Sequence, residues 1–156
     1  MKTKTYLLLY GFVLSMAIFA AAHRLQATLG ESVDSIKSDI EAFSAAPTGV
    51  MARDGYTIQE IDYDSTTVRE YVSTAGVVFG VAWNGLVHPD LTQLLGSYAD
   101  QYETALQQTP REPGRRRLGV KTNEVVVEKW GHMRSLQGRA YVPALIPPGV
   151  SIDEIK

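Results

Sequence analysis

The seven residues Val77-Val78-Phe79-Gly80-Val81-Ala82-Trp83 read as a strand with no polar side chain on either face. Side chains alternate across a strand, so both of its faces have to be hidden from water. Such a strand belongs in the middle of a sheet that is covered on both sides. The rest of the chain has to supply its neighbours and its covers.

A strand over 67–72 pairs with it as a hairpin around Ser73-Thr74-Ala75-Gly76. Residues 56–63 read as a further strand, whose alternation slips near Gln59 and Glu60 as a bulge would make it do. Residues 120–130 and 133–142 read as a second strand pair, joined at Gly131-His132. Two helices fit the remaining periodicity. Over 32–43, Val33, Ile36, Ile40 and Phe43 fall at spacings of three and four. Over 90–108, Leu91, Leu94, Leu95, Tyr98, Tyr102 and Leu106 make an apolar stripe, and Asp90 with Gln93 fits a helix cap and its box partner. Residues 44–55 read as a loop broken by Pro47, Gly49 and Gly55, and 109–119 as a linker. The tail over 143–156 carries three prolines and is expected to lie extended across the body, pinned by Ile152 and Ile155. The expected class is α+β: an antiparallel sheet of about five strands with two helices packed on it.

Residues 1–27 have the layout of a secretion signal: Lys2 and Lys4, an apolar run over 6–22, then small residues. Ala20 and Ala22 allow cleavage before His23, and Leu25 and Ala27 allow it before Thr28. The second site is preferred because Thr28 and Glu31 form a possible capping box. A retained anchor is the alternative, although the run is at the short limit of the roughly 20 residues a spanning helix needs. Cleavage before Thr28 leaves residues 28–156 as one expected domain outside the cytoplasm, periplasmic or secreted, with no membrane span of its own. With no cysteine in the chain, thiol catalysis, disulfide staples and zinc–thiolate sites are excluded. The signal takes three of the 15 basic residues and none of the 17 acidic ones, so 12 face 17 in the remainder. That balance argues against nucleic acid as a partner.

Four stretches together resemble an exported bacterial family catalogued as domain of unknown function 2844. They are Ala27-Thr28-Leu29-Gly30; Arg69-Glu70-Tyr71-Val72-Ser73 running into 76–85; Pro89-Asp90-Leu91 with Leu94-Leu95-Gly96-Ser97-Tyr98; and Gly131-His132-Met133-Arg134 continuing through 138–145. The resemblance implies a start at Thr28 and a single domain. It implies no activity and carries over no functional residue.

The histidines are the natural place to look for chemistry. His88 precedes a helix and His132 sits in a turn beside Arg134, neither in a metal-ligand spacing. Trp83 and Trp130 end their strands and would line a cleft if not taken up by the core. These five residues form one candidate ligand site. Arg111, Arg115, Arg116 and Arg117 form the one basic patch, suited to a polyanion or an acidic partner, or simply solvated. Ser97 lacks the Gly-x-Ser-x-Gly elbow, and Glu60, Asp62 and Asp64 read as a solvated face before an acid–base pair. No catalytic residue, metal or cofactor is assigned. The expected function is a non-enzymatic envelope binding protein whose partner is an envelope protein or a small ligand. A small hydrolase using His88 and His132, and a structural piece of a surface or secretion assembly, are the alternatives.

Overall fold

The computed structural model describes residues 29–32, 47–63 and 65–156. Seven strands form one sheet: β1 (Pro47–Arg53), β2 (Tyr56–Tyr63), β3 (Thr66–Ser73), β4 (Val78–Gly85), β5 (Arg117–Lys121), β6 (Val126–His132) and β7 (Ser135–Tyr141). Their order is β1-β2-β3-β4-β7-β6-β5, with every neighbouring pair antiparallel. The apolar strand is β4, and it takes the centre of the sheet.

The expected five strands and two helices are corrected to a sheet-dominated fold. Among the described residues the α-helical part is one stretch, α1 (Leu91–Leu95) and α2 (Ala99–Gln108) joined by a 3-10 turn at Gly96–Tyr98, and the tail expected to be extended carries two short 3-10 turns, Pro143–Leu145 and Ile152–Glu154. The break falls at Gly96, whose φ of 50 leaves the helical region. Asp90 caps α1 by accepting from the Thr92 N–H at 2.9 Å. The helix expected over 32–43 lies outside the described residues apart from Ser32, which bridges to Val77.

Two hairpins account for the extra strands. Residues 47–53, expected as a loop, form β1, joined to β2 by Asp54-Gly55 with Gly55 at φ 82. That dipeptide is a two-residue hairpin turn, and Pro47 is tolerated because it opens an edge strand. The strand expected over 120–130 divides at 122–125. There the Thr122 hydroxyl accepts from the N–H groups of Glu124 and Val125, and the Thr122 N–H donates to the Val125 carbonyl at 2.9 Å. A side chain that satisfies its own backbone makes a turn without glycine or proline. The second pair turns at Met133-Arg134, two residues beyond Gly131-His132, since His132 pairs with Ser135 and Arg134 takes φ 65. β2 carries no extra residue at Gln59 and Glu60; the register shift there lies on β1, between Pro47 and Gly49, opposite Ile61 and Glu60. Ile58 and Ile61 are both buried because each faces a covered side, and β2 pairs with β3 in unbroken register.

Each face of the sheet has its own core. On the helix face, Leu94, Leu95, Ala99 and Tyr102 pack on Val68, Val81, Trp83, Val127 and Ala140. On the other, the tail lies across Tyr56, Tyr71, Phe79 and Tyr141 and drives Ile155 into the sheet. Ile155 meets Gly80, where an added Cβ would sit 2.9 Å from its Cδ1. Of the two expected pins Ile155 is buried and Ile152 is exposed, and Leu145, Ile146 and Val150 pack against the same cluster as Ile155. Hydrogen bonds hold the tail backbone: Tyr71 donates to the Lys156 carbonyl at 2.8 Å and Arg139 to that of Ile152 at 2.8 Å.

Candidate functional site

Trp83 lies near the end of β4 and is buried. Its row across the sheet runs Trp83, Gly138, Lys129, Leu118, on the helix face. The ring comes close against β7 because Gly138 has no side chain; a Cβ there would fall 2.2 Å from Trp83 Cζ2. The loop after β4 folds back, held by the Leu86 N–H on the Ser65 carbonyl at 2.9 Å and the Thr66 hydroxyl on the Val87 carbonyl at 2.9 Å. That return brings His88 to the indole, and Trp83 Nε1 donates to His88 Nδ1 at 2.9 Å.

An indole N–H can only donate, so Nδ1 is unprotonated and the neutral ring carries its proton on Nε2. Burial lowers the pKa of His88, and the charge of Lys129 lowers it further. The imidazole is therefore the structural partner of a buried tryptophan.

Lys129 is the centre of the same region. Its ammonium stands 5.7 Å from the centroid of Tyr102, whose hydroxyl is buried without a hydrogen-bond partner. Lys129 is half-buried, and among the described residues no carboxylate lies within ion-pair range of it. Beside it an open groove of about 870 Å³ runs between the end of α2 and the arginine segment. Leu106 and Leu118 supply apolar lining; Arg111, Arg115 and Lys129 supply positive charge; Glu112 is the one acid. Arg115 is fixed by the Pro110 carbonyl at 2.6 Å and by Glu112 at 3.3 Å. Among the described residues no cluster of histidine and carboxylate groups is suited to hold a metal ion.

The family described as "Protein of unknown function (DUF2844)" matches residues 25–155. The chain belongs to that family. No curated protein and no solved structure matches the chain. Every described strand and helix of this DUF2844 chain falls within the matched span.

The structure divides the residues that sequence reasoning put together. Trp83 and His88 meet on the helix face. Trp130 is one position along from Lys129 and so faces the tail side, where its Nε1 donates to Gln137 at 2.9 Å. His132, two residues further, shares that side and is exposed, as is Arg134 in the hairpin turn. The two histidines therefore lie on opposite faces. The arginines divide too: Arg111 and Arg115 line the groove, Arg116 is exposed, and Arg117 stands 5.9 Å from the Trp130 ring centroid on the far side. Glu60 is taken by Arg69 at 2.7 Å, Asp62 accepts from Thr67 at 2.7 Å, and Ser97 is exposed in the 3-10 turn. Asp64 lies outside the described residues. Lys129 was not singled out in the sequence. Its signal was a lone cation within the apolar alternation of 125–130, on a face that the register shows to be covered.

Proposed function

We propose that this DUF2844 member is an exported, non-enzymatic binding protein whose ligand is an anion carried on a short apolar body, held in the groove beside α2. One observation carries the reading: Lys129, a half-buried residue, lines that groove with no carboxylate partner among the described residues. The Tyr102 ring attracts the ammonium by about 0.5–2 kcal/mol. An anionic head group would attract it more strongly, with Arg111 and Arg115 beside it and the stem against Leu106 and Leu118. The pairing of His88 with His132 draws no support from a geometry that sets them on opposite faces. The assembly reading has one point in its favour: β1 is an outermost strand, and Val50 and Met51 on it are exposed.

Support for export comes from the positive start and apolar run before residue 25, where the family match begins. Protein recovered from its own cell is expected to start at Thr28 by N-terminal sequencing; a chain starting at Met1 in the membrane fraction would overturn export. For the groove, hexyl phosphate, inorganic phosphate and hexanol serve as calorimetric probes. Hexyl phosphate should bind tightest, and Lys129→Ser should weaken it by about tenfold or more, the worth of a charged hydrogen bond. Equal binding by wild type and Lys129→Ser, or no binding of hexyl phosphate at all, would sink the proposal.

A further inference from the structure

The tail covers only part of the face opposite α1 and α2. Its coverage stops at a row closed by two ion pairs, Glu60 with Arg69 at 2.7 Å and Glu128 with Arg139 at 2.6 Å, with Ala82 between them. The next row on that face takes one residue from each of six adjacent strands. In spatial order they are Asp62, Thr67, Asn84, Gln137, Trp130 and Arg117. At the usual strand spacing the row is about 24 Å long. All six are exposed or half-exposed.

Three features of the row suit a ligand rather than a merely solvated surface. Trp130 is the one large apolar side chain in it, and its ring is fixed from below by the hydrogen bond to Gln137. Thr67 is likewise fixed by donating to Asp62. The side chain of Asn84, in the middle, makes no hydrogen bond among the described residues, so its amide is a ready donor and acceptor. The row holds one carboxylate and one guanidinium, which disfavours a nucleic acid or any strongly charged partner. One ring among hydroxyl and amide groups disfavours an apolar one.

We infer that this row is a binding strip for an extended neutral glycan. A polysaccharide offers hydroxyls that both donate and accept, which amides and hydroxyls match in either sense. It also offers flat C–H faces, which pack on an exposed aromatic ring. A row that crosses six strands suits a long ligand lying across them. This strip is separate from the groove on the helix face and stands or falls without it.

Calorimetry with cellohexaose, chitohexaose and maltohexaose tests the assignment on the chain from Thr28. At least one is expected to bind. Trp130→Ala should weaken that binding by about tenfold or more, since a central aromatic anchor dominates such sites. Asn84→Ala and Gln137→Ala should each weaken it about threefold. Trp130→Phe keeps a ring, guards against a folding defect, and should retain binding within about fivefold. The double variant Arg111→Ser, Arg115→Ser should bind as wild type does. The inference is overturned if none of the three hexasaccharides binds, if Trp130→Ala and Asn84→Ala bind as wild type does, or if the double arginine variant loses binding.

Discussion

Trp83 and Trp130 look alike in the sequence: each lies near the end of a strand, close to a glycine, and each donates its indole N–H to a side chain. In the fold they do opposite things. Trp83 faces the helices, lies on a strand without a side chain, and is buried. Trp130 faces away from them, on the part of the sheet the tail leaves open, and stays half-exposed. The difference comes from parity and cover. One residue of register decides the face, and the presence or absence of a second layer decides whether that face is core or surface. Within a single sheet the same residue type is thus core in one place and surface in another.

The largest effect that would break this comparison is at Trp83. Trp83→Ala removes a buried ring and leaves a cavity beside Gly138, at a cost of about 3–5 kcal/mol. Urea titration of the chain from Thr28 reads this directly as a lowered midpoint with an unchanged slope. A loss below about 1 kcal/mol would show that the ring is not part of the core.

His88 gives the next effect, and pH sharpens it. Removing the imidazole in His88→Ala leaves the buried indole N–H without an acceptor, which costs about 1–3 kcal/mol at neutral pH. The pKa of His88 is lowered in the folded state from 6.5, by burial first and by Lys129 second. The unfolded chain therefore takes up this proton more readily than the folded one. Its contribution is fully present above the unfolded value and is lost as pH falls from 6.5 through the folded pKa. Glu154, also lowered, acts in a separate window: the Ser151 N–H and then the Tyr56 hydroxyl favour its charged form, so its contribution is lost only as pH falls below 4.5. At the other end, burial and the bond to Glu154 push Tyr56 up to about 12. Between pH 7 and 5 the wild type should lose stability more steeply than His88→Ala; parallel curves would refute the role of the imidazole.

Much of the helix-side core was legible in the sequence. The apolar run of β4 announced a central, doubly covered strand, and the stripe through Leu94, Leu95 and Tyr102 announced its cover. Four stretches of residues pointed to the family. What was not legible depended on non-local register or on turns without the usual punctuation. Pro47 and Gly49 read as breakers, yet an edge strand tolerates both. The turn at Thr122 is made by a hydroxyl, so the apolar residues Val125, Val126 and Val127 seemed to continue one strand. The pairing of β4 with β7 brings residues 83 and 138 together across more than fifty positions, and nothing local in either strand states it. Without that pairing neither the neighbourhood of Lys129 nor the row containing Trp130 can be drawn.

The smallest expected effect is the most telling. Trp130→Ala removes a ring of the same size as Trp83, but from a half-exposed position that needs no filling. Its cost should stay within about 1 kcal/mol, mostly the lost packing against Arg117 and the freed amide of Gln137. Measured by the same urea titration, the two alanine variants should therefore differ by several-fold in their cost. If Trp130→Ala instead destabilised the fold as strongly as Trp83→Ala, the open face would be a second core layer, and its ring would have a structural reason to be there. A small cost shows that the fold does not depend on the ring, which leaves it available to a ligand.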